Sequence, residues 1–104
     1  MEKLKENGIP VDLERITVIA RAYSIEEISV FGSSVRDDMT PESDIDLLVT
    51  FKKGAEISLF DLMELEEKLS REFGHPVDIV EPDALTNPIR RRNILSTKHR
   101  LYAA

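Results

Sequence analysis

The chain predicts an α/β domain built on a small mixed β-sheet of about three strands flanked by helices. Three observations carry this. Ile28–Phe31 and Asp44–Phe51 are short β-prone runs separated by a polar connection. A long amphipathic stretch from Ser58 to Phe73 follows and suits a crossover helix. Directly after it, Pro76–Val80 reads as a third strand.

Each element has a local cause. Residues 1–9 are polar, with a turn at Asn7-Gly8, and are expected to fray. Pro10 suits a helix start, and Leu13, Ile16, Ala20 and Tyr23 recur at helical spacing through Val11–Tyr23. Ser24–Glu27 is expected as a connection into the first strand. The second strand closes near Phe51, and Ser58 with Asp61 three residues on predicts a capped helix. Its buried stripe is Leu59, Leu62, Leu65, Leu69 and Phe73, with Glu64, Glu66, Glu67, Lys68 and Arg71 facing water, and Gly74 ends it. Pro82–Leu85 is a turn, and Asn87-Pro88 caps a last helix to about Ser96. His99–Tyr102 is a candidate short fourth strand. The brief connection between the first two strands predicts antiparallel neighbours, and the crossover lets the third lie parallel to the second.

With 104 residues the chain is expected to form a single domain over 1–104, with room for one core. It has no cysteine, which excludes disulfides and thiolate metal sites. Without an apolar leader or a run of membrane-spanning length, the expectation is a soluble cytoplasmic protein. The net charge of −6 argues against general nucleic-acid affinity, but the charge is uneven. All 20 acids lie at or before Asp83, while Ala84 onward holds five basic residues and no acid. That basic segment either offsets the dipole of its own helix or presents an anion or partner surface.

The chemistry is concentrated at Gly32-Ser33 and Asp44-Ile45-Asp46. In an extended strand Asp44, Asp46, Leu48 and Thr50 share one face, and Ile45, Leu47, Val49 and Phe51 the other. The second set is core. The first begins with two carboxylates about 7 Å apart, which repel unless a cation lies between them. Hard oxygen donors suit Mg²⁺ or Mn²⁺ shared with substrate phosphates. Gly32 lets backbone approach a ligand closely, and Ser33 can cap a short helix through Arg36 whose free N–H groups favour an anion.

Gly32-Ser33, a ten-residue gap and Asp44-x-Asp46 together resemble the signature of the DNA polymerase beta nucleotidyltransferase superfamily. At this length, with Arg36 placed as Gly-Ser-x-x-Arg, the chain is similar to the minimal nucleotidyltransferases, including antitoxins paired with HEPN ribonuclease toxins. The resemblance implies the polymerase-beta-like fold, ATP as substrate and two Mg²⁺ ions, with Mn²⁺ as a substitute. It also implies a third carboxylate on the strand after the crossover helix, a position that Asp78 matches; the other reading of Asp78 is an exposed edge-strand residue. Asp44, Asp46 and Asp78 would then be the catalytic and metal-binding set, with Gly32, Ser33 and Arg36 on the nucleotide. Arg36 is equally an ion-pair partner for Asp37 or Asp38.

By the same resemblance, the reaction is transfer of AMP to a hydroxyl of a partner protein, foremost a HEPN toxin. Small-molecule acceptors are the alternative within enzymes. A different class is a non-catalytic module that binds and neutralises its partner, and a third is nucleic-acid binding through the basic tail. His75 and His99 have no motif around them and read as structural.

Overall fold

The computed structural model describes residues 8–32 and 44–104. Its elements run α1 (Leu13–Ala22), β1 (Ile25–Phe31), β2 (Ile45–Phe51), α2 (Leu59–Phe73), β3 (Val77–Val80), a single 3₁₀ turn (Pro82–Ala84), α3 (Pro88–Thr97) and β4 (His99–Ala103). The strands form one mixed sheet in the order β3-β2-β1-β4. As the connection lengths predict, β1 and β2 pair antiparallel, and β2 and β3 parallel across the α2 crossover. The fourth strand is real and pairs antiparallel with β1 at the outer edge.

Both sheet faces are covered. On one, Ile28 and Val30 of β1 and Ile45, Leu47 and Val49 of β2 meet Ile16 and Ala20 of α1 and Leu65, Leu69 and Phe73 of α2. On the other, Phe31 and Leu48 meet Leu85 and Ile94, so α3 lies over the face that carries Asp46. The period-2 alternation along β2 therefore separates a large core from a smaller one.

Several local expectations shift. Pro10 does not open α1; Asp12 is its N-cap and accepts from the Glu14 and Arg15 N–H groups at 3.1 and 3.2 Å. Leu13, in the first turn, is consequently exposed. Ser24–Glu27 is not simply a connection, because β1 begins at Ile25, which is buried and pairs with Phe51. At the start of α2, Ser58 and Asp61 form the expected capping box and Gly74 the left-handed C-cap. Leu59, however, is 72% exposed: the helix starts beyond the sheet, and contact begins only at Leu65. No helix among the described residues is long and apolar enough to cross a membrane.

The β1–β4 edge is fastened by charge. Lys98 Nζ donates to Glu27 Oε1 at 2.7 Å, and Ser29 Oγ donates to the same oxygen at 3.1 Å. The Lys98 ammonium holds the Glu27 carboxyl below its usual range. A depressed carboxyl pKa stabilises the fold above the ordinary value of 4.5, and that contribution disappears as pH falls through the lowered one. Lys98→Met is therefore expected to cost about 1–2 kcal/mol at neutral pH. Its penalty should shrink toward zero in strong acid, as read by urea melts at several pH values; a penalty independent of pH would assign the loss to packing instead.

Candidate active site

Gly32, Asp46 and Asp78 meet at one end of the sheet. Asp46 is the second residue of β2, a central strand paired on both sides. It is half-buried and lies opposite Phe31 of β1 and opposite Asp78 of β3. Residues directly across a ladder share a face, so the two carboxylates project on the same side. Gly32 follows the end of β1 with φ +80°, and a Cβ there would overlap Asp46 Oδ2. The glycine is thus required twice, by its backbone conformation and by the carboxylate lying against its Cα.

Asp44 precedes β2 and is exposed. Asp78 is also exposed and β3 is an edge strand, but its register places it beside Asp46. Among the described residues no three His, Cys, Asp or Glu side chains are gathered closely enough to hold a metal ion by themselves. Ser33 and Arg36 lie outside the described residues, as do Asp37 and Asp38. His99 is exposed at the start of β4. His75 is half-buried, and its Nδ1 has no hydrogen-bond partner among the described residues.

The hardware that positions Asp78 is not visible as a motif. As an edge strand, β3 has backbone donors that no further strand can satisfy. Two α2 side chains take them instead. Ser70 Oγ accepts from the Val77 N–H at 2.9 Å, and Glu66 Oε1 accepts from the Ile79 N–H at 3.4 Å. Glu66, expected to face water, therefore helps hold the strand either side of Asp78. Ile45 N–H donates to the Pro76 carbonyl at 2.8 Å, which ties the start of β2 to the start of β3. The small polar Ser70 in an otherwise long-chain helix is the one sequence signal that could have indicated this.

A glycine turn pressed against a strand-borne carboxylate, with a second carboxylate one strand away, is a layout for gripping phosphate and a hard cation together. The sequence model for a nucleotidyltransferase domain matches residues 4–101. The chain belongs to the nucleotidyltransferase family. Its fold is the polymerase-beta-like one: a solved structure provisionally named a minimal nucleotidyltransferase superposes with a TM-score of 0.65 and 32% identity, over 86% of this chain and 95% of that one. The protein adenylyltransferase MntA of Thermococcus cleftensis is 39% identical over 69 residues, 66% of this chain and 68% of its own. The fold is also shared, with a TM-score of 0.55 at 18% identity over 88% of this chain and 70% of the other, with a structure of a tri-AMPylated Shewanella oneidensis HEPN toxin in complex with an MNT antitoxin. This nucleotidyltransferase thus holds Gly32 against the Asp46 carboxylate, in a sheet of four strands.

Proposed function

We propose that this nucleotidyltransferase moves AMP from ATP onto a hydroxyl of a partner protein, a tyrosine of a HEPN ribonuclease toxin, and so acts as the antitoxin of a two-protein system. The observation that carries the reading is the in-register Asp46–Asp78 pair beside Gly32. The acceptor is proposed from the relatives, since the T. cleftensis protein is named for protein adenylylation and the S. oneidensis toxin is AMPylated.

The residues present fit a divalent cation. Two carboxylates on one face supply hard oxygen donors, and Gly32 leaves Asp46 Oδ2 room that any side chain would take. Asp46 and Asp78 would hold Mg²⁺ only with substrate phosphates completing the coordination, and Asp44, exposed ahead of β2, would have to turn toward them to join as a third carboxylate for two ions. A cation bound there would lower the pKa of the acceptor hydroxyl and neutralise charge on the leaving pyrophosphate. The chain's own part is placement. Asp46, fixed by ladders on both sides, would set the position of the α-phosphate, and Asp78, in register one strand away, would serve the acceptor oxygen. Ser33 would hold the β,γ-phosphates, and Arg36 would add a charged contact to them.

The test is transfer of label from α-labelled ATP, with Mg²⁺, to a HEPN protein encoded beside this chain, with release of pyrophosphate. An unlabelled partner that is nonetheless neutralised would sink the reading in favour of binding alone. Metal linkage provides a readout without activity. Clustered acids repel without a cation, and an ion that binds only the folded form stabilises it by mass action. Thermal melting should rise with Mg²⁺ or Mn²⁺, whereas Asp44→Asn with Asp46→Asn should be at least as stable without metal and lose the response. A response equal to the parent's would place the ions elsewhere.

A further inference from the structure

Asp46 and Asp78 stand opposite each other in one ladder but are held unequally. Asp46 belongs to β2, which pairs on both sides, whereas β3 is four residues long and has β2 as its one strand neighbour among the described residues. An edge strand this short is held weakly by its ladder alone. On its open side the Val77 and Ile79 N–H groups, which flank Asp78, donate to Ser70 Oγ and Glu66 Oε1. The two acceptors are themselves linked. Ser70 Oγ donates its proton to the Glu66 carbonyl at 2.6 Å, which leaves the hydroxyl's lone pairs for the Val77 N–H. Both side chains are half-buried.

Val77 is buried in the large core and Ile79 packs against it, so Asp78 between them projects to the other face. The helix α2 lies on the core side. Ser70 and Glu66 thus reach the strand from behind the site and act on Asp78 only through the backbone. We propose that Ser70 and Glu66 are positioning residues that set the cation affinity of the Asp46–Asp78 pair. Anchors two residues apart fix the pleat of β3, and with it the direction in which the Asp78 carboxylate leaves the strand. Outer groups that orient a metal ligand tune affinity by about 10–100-fold. The inference rests on the cation reading given above, and its experiment separates the two.

Melting followed against Mn²⁺, with non-hydrolysable α,β-methylene ATP held constant, tests it without catalysis. In the parent the ion should raise the melting temperature by mass action. Ser70→Ala and Glu66→Ala should each need about 10-fold more Mn²⁺ for half of that rise. The Val77 and Ile79 amides should also exchange faster with solvent in these variants. Glu66→Gln keeps an oxygen that can accept from Ile79 and should restore the parent's Mn²⁺ requirement. Lys98→Met loosens the opposite edge of the sheet, at the Lys98–Glu27 pair. It should lower the melting temperature and leave the Mn²⁺ requirement unchanged, which separates positioning from a general loss of stability. Alanine variants that respond to Mn²⁺ as the parent does overturn this inference alone. So does a Lys98→Met shift as large as theirs, or a Glu66→Gln as weak as Glu66→Ala, which would trace the effect to charge. A parent with no Mn²⁺ response overturns the cation reading and this inference with it.

Discussion

Asp46→Ala is expected to abolish nucleotidyl transfer and leave the protein folded. Its neighbours along β2, Ile45 and Leu47, are fully buried on the opposite face and keep the strand in the sheet. Asp46 itself is half-buried at the strand's end, so its removal empties no core volume. What is lost is the carboxylate that lies against Gly32 and in register with Asp78. Electrostatic placement supplies most of the rate in such chemistry, and a fall of at least about 10³-fold is expected. Ser33→Ala should lose only about 10–100-fold, because it removes one hydroxyl donor and leaves every backbone N–H in place. Labelling of the partner and circular dichroism are the paired measurements. Persistent labelling by folded Asp46→Ala would refute the mechanism, and partner binding should survive the change if docking uses other surfaces.

Gly32→Ala should injure both stability and activity, through one atom. A Cβ at this φ of +80° meets left-handed strain of about 1–2 kcal/mol. It also overlaps Asp46 Oδ2, and forcing the carboxylate aside adds about 1–3 kcal/mol. Because a displacement near 1 Å can cost about 10²-fold in rate, transfer should fall by about that factor even where the variant remains folded. Gly54→Ala makes the control, since Gly54 has positive φ but open space around its Cβ position. That variant should show the backbone strain without the loss of activity. Equal activity losses in the two would remove the Gly32–Asp46 contact from the explanation.

Much of this was legible in the residues. Alternation along β2 separated Asp46 from the core, the capping box marked the start of α2, and the crossover length allowed β3 to run parallel to β2, as it does. What was missed depended on partners far away in sequence. Ile25 joins β1 because Phe51 pairs with it, and polar Glu27 is tolerated in that strand because Lys98 reaches it. Leu59 looked like core by periodicity, which reports a helix's apolar side and not how far the sheet extends beneath it. At the site, resemblance to the family pointed to Asp78 as a companion of Asp46, and the register sets the two opposite each other. Neither spacing nor resemblance could show that Gly32 must stay bare to admit Asp46, or that Ser70 and Glu66 hold the edge on which Asp78 rides.

The placing of β4 has a consequence for the order in which the sheet assembles. Phe31 meets Asp46 across a short stretch of chain, whereas Glu27 meets Ala103 only after most of the chain has been spanned. Closing the longer loop costs about 1.4 kcal/mol more in chain entropy. The three strands that carry Gly32, Asp46 and Asp78 can therefore zip first, with the outer edge of β1 left as an open template until the last strand arrives. During that interval the chain is exposed to pairing with the β4 of another molecule. Pulsed hydrogen exchange during refolding should accordingly protect the β1–β2 amides before those shared by β1 and β4.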